Sequence, residues 1–247
     1  MMVLSLDILG FYGGFPVEGS AASGYLLTSD QAKVLIDCGS GSLLKLSHLQ
    51  ALHDLDAVII SHLHNDHVAD LLTLDHALIV AKRRGLRQHP LSLYLPEQPH
   101  TIYQRFETEQ FQLHSLSSIK SFNILDLQIS VMPVRHTVPA YAVKISQGNK
   151  QCAYTGDTAY FPELISFVQG TDLLLSEATV SAESQHSSGR GHMSGQEAGE
   201  LAQATRVKRL VLTHLPSDGY HQAIKKAAQN MFQGPVHLAS EQSHWQI

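Results

Sequence analysis

The stretch Ser61-His62-Leu63-His64-Asn65-Asp66-His67 carries three imidazoles and a carboxylate within six positions. It follows the apolar run 56–60, whose β-branched residues are typical of a buried strand. Histidine nitrogens and carboxylate oxygens are the usual ligands of zinc and similar divalent ions. Because alternate residues of an extended segment point the same way, we expect His62 and His64 to face one ion. Asp66 and His67 come where the chain turns towards a helix, and a second ion is expected there. The alternative interpretation is a solvated polar loop.

Composition restricts the class of protein. The chain has 247 residues, 43% of them hydrophobic, which suits one domain covering 1–247. No segment reaches the roughly 20 apolar residues of a membrane span, and Asp7 interrupts the first apolar run before a signal peptide could form. Two isolated cysteines, Cys38 and Cys152, predict a reduced, cytoplasmic protein. The net charge of −5 gives no broad basic face for nucleic acid.

Strand and helix signals alternate along the chain, with no internal repeat and no linker. Apolar alternation and turn residues predict strands at 3–9, 24–28, 33–37, 56–60, 91–95, 141–145, 152–155, 172–177, 207–213 and 236–239, and two more within 121–134 around Leu125-Asp126. Helical spacing follows residues 42, 70 and 220, and Ser194 with Glu197 predicts a capping box. The segment 101–116 is at best partly helical.

Chemically active residues recur where predicted strands end. His62, His136, Asp157 and His214 each follow a strand, and Asp37 closes another. Sites in layered folds collect where strand ends open into loops. A lone histidine after a strand is more commonly structural, but four such residues beside a dense cluster predict one shared site. Asp37 is expected either to orient a metal-bound histidine or to cap the next helix.

The ordered set His62-x-His64-x-Asp66-His67, His136, Gly156-Asp157-Thr158 and His214 resembles motifs two to five of the metallo-β-lactamase superfamily. The resemblance covers nearly the whole chain. It implies an α/β (α+β) fold, the four-layer αββα sandwich of two mostly antiparallel sheets. It also implies two divalent ions, zinc with Mn²⁺ or Fe²⁺ as alternatives. The implied ligands are His62, His64 and His136 for the first ion, Asp66, His67 and His214 for the second, and Asp157 as a bridge.

Two ions about 3.5–4 Å apart can share a hydroxide and clamp both oxygens of an in-line displacement. A phosphodiester suits this clamp because the ions neutralise the charge that builds on the leaving oxygen. Hydrolysis of a lactone, carboxylic ester or thioester needs the same hydroxide but less neutralisation. The expectation is therefore a binuclear phosphodiesterase.

Two further motifs resemble the ribonuclease Z branch of that superfamily. Leu174-Leu175-Ser176-Glu177-Ala178-Thr179 is similar to its His-Glu-Ala-Thr motif, with Ser176 in place of the histidine, and Gly191-His192-Met193-Ser194 is similar to its His-Ser-Thr motif. By this resemblance His192 protonates the leaving group and Glu177 orients it. Asp66, Glu177 and His192 are thus the expected catalytic residues. The alternative is that Glu177 and His192 are ordinary polar loop residues.

Departures from the branch narrow the expected substrate. The N-terminal loop Gly13-Gly14-Phe15-Pro16, the first glycine loop, fits the superfamily, but ribonuclease Z proteins carry an Arg-Asn pair soon after it and this chain has none in 17–22. Val68-Ala69-Asp70 stands where the superfamily generally has glycines. Only residues 137–156 lie between His136 and Asp157, which leaves no room for the basic tRNA-binding arm of ribonuclease Z enzymes. We therefore expect a small or short phosphodiester substrate, no full-length tRNA, no membrane partner and, by resemblance, a homodimer. A ribonuclease Z-type tRNA endonuclease, a lactonase or ester hydrolase, and a metal-binding sensor protein are the alternatives.

Overall fold

The computed structural model describes residues 3–180, 191–241 and 243–247, and two β-sheets in this part of the chain share a hydrophobic core. The first sheet has eight strands among the described residues, in the order β15-β1-β3-β4-β5-β6-β7 with β2 beside β1. They are β1 (Ser5–Tyr12), β2 (Ala21–Ala22), β3 (Gly24–Thr28), β4 (Lys33–Cys38), β5 (Ala57–Ile59), β6 (Leu91–Leu95), β7 (Phe111–Ser115) and β15 (His244–Gln246).

The second sheet has seven strands in the same described ranges, ordered β14-β13-β12-β11-β10-β9-β8. They are β8 (Ser121–Ile124), β9 (Leu127–Pro133), β10 (Tyr141–Gln147), β11 (Lys150–Tyr154), β12 (Leu173–Glu177), β13 (Leu210–Thr213) and β14 (Val236–Leu238).

The helices lie on the outer faces of the two sheets. They are α1 (Ser42–Leu49), α2 (Asn65–Val68), α3 (Leu71–Arg83), α4 (His100–Tyr103), α5 (Glu163–Val168), α6 (Gly195–Thr205) and α7 (His221–Met231). Contacts place α1 and α2 against the first sheet, and α6 and α7 against the second. The predicted capping box of Ser194 and Glu197 is present at the start of α6. Among the described residues, no helix has both the length and the apolar character needed to span a bilayer.

Strand periodicity divides the core into layers. In β4, Val34 and Ile36 face the core between the sheets, whereas Leu35 belongs to a second cluster with α1 and α3. Successive side chains of a strand point to opposite faces of the sheet. A strand that is buried on both faces therefore has a continuous run of apolar residues in its sequence. The predicted αββα order of layers is confirmed.

The prediction of mostly antiparallel sheets is wrong, because both sheets are mixed. β4, β5, β6 and β7 pair in parallel, as do β11, β12, β13 and β14. The antiparallel pairs include strands joined by short turns, such as β3–β4 and β10–β11, and also β1 with β15, which are distant in the chain. Parallel neighbours need a crossover connection, and several of the helices lie in those connections. The unassigned segment 101–116 contains α4, a 3₁₀ turn and the edge strand β7.

This topology brings several strand ends to one edge. The parallel strands β11, β12 and β13 end at the same edge of the second sheet. Strand β9 runs in their direction, because β9 and β11 are both antiparallel to β10. The residues that follow these strands therefore lie close together.

Candidate metal centre

The histidine-rich stretch changes from extended to helical conformation at His64. His62 follows β5 in an extended segment, and His64 has the extended backbone of a helix N-cap (φ −72°, ψ 150°). Asp66 and His67 lie in the short helix α2, which begins at Asn65. The predicted turn into a helix is confirmed, and it lets one stretch present donors to two neighbouring positions.

The first position is formed by three imidazole nitrogens. His64 Nδ1 lies 3.0 Å from His62 Nε2 and 3.1 Å from His136 Nε2. Burial lowers the pKa of all three histidines, so they stay neutral, which is the form that binds a metal ion.

The second position is formed by Asp66, His67 and His214. Asp66 Oδ2 lies 3.1 Å from His214 Nε2 and 3.5 Å from His67 Nε2. Burial alone would raise the pKa of Asp66, but the neighbouring imidazoles of His214 and His67 hold it below its usual range. The carboxylate is therefore ionised.

Asp157 lies between the two positions. Its Oδ2 is 3.6 Å and 4.0 Å from Nε2 of His62 and His136, and 3.5 Å and 3.1 Å from Nε2 of His67 and His214. Burial raises the pKa of Asp157, yet His214 and His67 outweigh that effect and keep it well below its ordinary value. One ionised oxygen thus faces donors of both groups.

Two buried atoms lack partners where cations would bind. Asp157 Oδ1 and His67 Nε2 have no hydrogen-bond partner among the described residues, although both side chains are fully buried. A buried polar atom without a partner is costly. Imidazole nitrogens and carboxylate oxygens are a donor set suited to zinc, manganese or iron. The residues present therefore fit two divalent ions.

Hydrogen bonds on the far side of three of the imidazole rings orient their inward nitrogens. His67 Nδ1 donates to Asp37 Oδ2 at 2.7 Å, and His136 Nδ1 donates to the Gly191 carbonyl at 2.7 Å. His214 Nδ1 lies 2.7 Å from Thr179 Oγ1. Such partners fix the tautomer of a ligating histidine and raise its basicity.

Asp37 organises a buried network behind the site. It accepts hydrogen bonds from Ser61 N (2.7 Å), Ser61 Oγ (2.9 Å) and Tyr154 OH (2.9 Å) as well as from His67. Because Ser61 Oγ gives its one proton to Asp37, it accepts from His62 Nδ1 at 3.1 Å. Of the two roles considered for Asp37, the structure shows the orienting one. The cap of α1 comes instead from Asp70, whose Oδ2 accepts from Gly41 N and Leu43 N.

Glu177 and His192 form a pair beside the ligand set. His192 Nδ1 lies 3.0 Å from Glu177 Oε1, and the carboxylate is fully buried. Burial lowers the pKa of His192, but the hydrogen bond and charge of Glu177, with smaller contributions from Asp157 and Asp66, raise it to about 9. The ring packs 4.9 Å from His136 and 5.5 Å from His214. A protonated imidazole therefore adjoins the site.

An open cleft of about 350 Å³ exposes this arrangement to solvent. The first glycine loop forms one wall: Gly14 N donates to Asp66 Oδ2 at 2.7 Å, and a Cβ on Gly13 would lie 2.6 Å from the His214 ring. Residues of both groups also line the cleft, together with His192, Thr179, Pro216 and Ser217. All nine residues singled out from the sequence thus converge here.

Several residues that support the site were not predicted from the sequence. Thr179 belongs to a motif that we recognised, but its contact with His214 was not foreseen. Ser61 and Tyr154 carry no local signal, because their importance comes from Asp37, which is distant in the chain. The glycine loop fitted the resemblance, although its closeness to His214 could not be read from its sequence.

Comparison with known proteins gives consistent matches. A family model described as the beta-lactamase superfamily domain matches residues 32–215. The probable metallo-hydrolase YhfI of Bacillus subtilis is 33% identical over 247 residues, covering 98% of this chain and 100% of that protein. A ribonuclease Z of Azobacteroides pseudotrichonymphae is 27% identical, covering 98% of each chain.

Solved structures agree with these matches. The crystal structure of YhfI, a metallo-β-lactamase fold protein, has a TM-score of 0.95 and covers 99% of this chain and 100% of its own. A diphosphatase of the PhnP family has a TM-score of 0.79 at 19% identity, covering 100% of this chain and 98% of its own. At that identity the second likeness concerns the fold alone.

Proposed function

Since this chain belongs to the metallo-β-lactamase superfamily and is a metal-dependent hydrolase, we propose that the bond it hydrolyses is a phosphodiester. The proposal assigns His62, His64 and His136 to one divalent ion, and Asp66, His67 and His214 to another. Asp157 is the bridging ligand. Membership of a hydrolase family argues against the sensor protein considered from the sequence.

The observation that carries the proposal is the charge balance of the cleft. Two divalent ions would bring four positive charges, whereas the ligand set supplies two carboxylates, Asp66 and Asp157, and a shared hydroxide would add one further negative charge. Glu177 and a protonated His192 cancel each other. The cleft therefore keeps a positive balance, which favours an anionic diester over a neutral lactone. The ribonuclease Z among the similar proteins is named for cleavage at phosphorus.

The bound ions would supply Lewis acidity, which lowers the pKa of a coordinated water and offsets the charge of the phosphate. The chain's own residues act on the leaving group. Glu177 Oε1 accepts from His192 Nδ1, which leaves the Nε2 proton of His192 available to the departing oxygen. A positioned acid of this kind speeds the loss of an alkoxide about 10²–10⁴-fold.

The size of the cleft and the charge around it favour a small or short diester over tRNA. The segment between His136 and Asp157 is filled by the β10–β11 hairpin. Its two lysines offer little to phosphate: Lys144 is partly buried, and Lys150 Nζ bonds the Ile247 carbonyl. Tight binding of a folded RNA needs several phosphate contacts at physiological salt.

The remaining parts of the proposal concern metal identity, location and assembly. Zinc is the ion that we propose, with manganese and iron as alternatives that share this donor set. Both free cysteines are buried and unpaired, in keeping with a cytoplasmic protein. The homodimer is proposed on the resemblance to ribonuclease Z alone, and light scattering of the purified protein tests it.

The deciding experiment measures metal content and substrate class together. Purified protein is assayed with bis(4-nitrophenyl) phosphate and with a homoserine lactone. Both assays are repeated after a chelator has removed the metal ions. We expect two ions per chain and diester hydrolysis that chelation abolishes. Faster turnover of the lactone than of the diester would show instead that the protein is an ester hydrolase.

A further inference from the structure

We propose that Thr179 is a positioning residue that couples the leaving-group pair to the metal ligand His214. The half of this inference that concerns the leaving group rests on the proposed function. The half that concerns His214 rests on geometry alone. Thr179 lies two residues beyond Glu177, at the point where β12 opens into the cleft.

The Thr179 hydroxyl lies between a carboxylate and an imidazole. Its Oγ1 is 2.7 Å from Glu177 Oε2 and 2.7 Å from His214 Nδ1. A hydroxyl has one proton, and an ionised carboxylate can only accept. Thr179 therefore donates to Glu177 and accepts from His214 Nδ1–H. The His214 carbonyl, 3.1 Å away, is a longer and uncharged competitor for the same proton.

This assignment fixes the tautomer of His214. With the proton on Nδ1, the lone pair of Nε2 faces Asp66 Oδ2 and Asp157 Oδ2, each at 3.1 Å. A ligating histidine needs that lone pair directed at the ion. His214 also has a left-handed backbone with φ +50°, which is unfavourable for a residue other than glycine. The contacts of its two ring nitrogens, Nδ1 with Thr179 and Nε2 with the two carboxylates, orient its ring.

The same hydroxyl acts with two backbone amides to fix the rotation of the Glu177 carboxylate. Oε2 accepts from Thr179 Oγ1 and, at 3.2 Å, from Thr179 N. Oε1 accepts from Thr158 N at 2.7 Å and is left facing His192 Nδ1 at 3.0 Å. One threonine thus sets both the second metal position and the orientation of the leaving-group acid.

The test compares Thr179→Val, which removes the hydroxyl but keeps the side-chain shape, with Thr179→Ser, which retains the hydroxyl. Chelator competition measures the affinity of each of the two zinc ions without any catalysis. We expect Thr179→Val to bind one ion about 10–100-fold more weakly, the loss typical of removing an outer partner of a ligand. The other ion should be unaffected, and Thr179→Ser should restore wild-type affinity.

A second readout follows the leaving group. Thr179→Val should lower kcat for an alkyl diester more than for a nitrophenyl diester, and Thr179→Ser should not. Thr179→Ala replaces the valine variant if that protein fails to fold. Equal weakening of both ions, wild-type affinity in Thr179→Val, or no rescue by serine would overturn the inference. If the wild-type protein hydrolyses no diester, the proposed function fails, but the metal affinities still decide the role of Thr179.

Discussion

Replacement of His192 by alanine is expected to slow hydrolysis according to the leaving group. His192 Nδ1 is held by the buried Glu177 at 3.0 Å, so its other nitrogen is the one that faces the cleft. A positioned acid contributes about 10²–10⁴-fold when the leaving group needs a proton. That factor corresponds to about 3–5 kcal/mol of activation free energy. A nitrophenolate leaves without a proton, so the fall in kcat/KM of His192→Ala on a nitrophenyl diester should stay below about threefold.

The assay measures kcat/KM of wild type and His192→Ala on two substrates under the same metal conditions. One is a dinucleoside phosphate, which releases an alkoxide, and the other is bis(4-nitrophenyl) phosphate. Metal content is determined for both proteins and should be unchanged, since His192 is not among the proposed ligands. His89→Ala is the matched control, because His89 is an exposed histidine away from the cleft.

The ratio of the two losses decides the result. A large loss on the dinucleoside phosphate with a small one on the nitrophenyl diester supports the general-acid role. Equal losses on both substrates would refute that role and leave His192 as a residue that positions substrate. A fall in bound metal would instead place His192 among the ligands.

Four further predictions concern metal binding, substrate size, stability and thiol chemistry. Asp157→Ala should lose both ions and all measurable turnover, because its carboxylate faces both groups; two bound ions with near-normal activity would show that it is no bridge. Precursor tRNA should be cleaved far more slowly than short diesters, and efficient, steeply salt-dependent trailer cleavage would contradict the small-substrate assignment. Asp70→Ala should lower the free energy of unfolding by about 1 kcal/mol, seen as a drop in Tm of about 2–4 °C, since it removes the cap of α1; an unchanged Tm would assign that cap no energetic role. Burial raises the pKa of Cys152 to about 12 and that of Cys38 well above its ordinary value, so both thiols stay protonated at pH 8 and should react with a disulfide reagent only after unfolding. Rapid reaction of the folded protein would argue against their burial.

Local patterns in the sequence were sufficient for much of the fold. The β3–β4 hairpin, the α6 capping box and the extended-to-helical change at His64 all depend on residues close together in the chain. Hydrophobic periodicity and capping reflect short-range physics, so they can be read directly. The dense stretch 61–67 likewise indicated metal binding, because so many ligands seldom occur together without one.

Local sequence patterns could not predict the relative direction of neighbouring strands or the presence of an edge strand. A strand buried on both faces shows the same apolar run whether its neighbour is parallel or antiparallel, which is why the mixed sheets were not foreseen. Strand β7 (Phe111–Ser115) was also missed, since it lies at a sheet edge and is only partly buried. Its pairing with β6 depends on the rest of the sheet.

Residue types and their spacing indicate which side chains are chemically able to form the site, whereas the packing of distant segments brings those side chains together. The sequence placed His136, Asp157 and His214 after strands, but only the packed sheets bring Nε2 of His136 and Nε2 of His214 to 4.0 Å and 3.1 Å from Asp157 Oδ2. The partners of their outer nitrogens, Gly191 and Thr179 among them, depend on contacts of a few ångströms between segments that are distant in the chain. Hydrogen bonds weaken steeply with small changes in distance and angle, so these partners become definite only when the whole chain has folded.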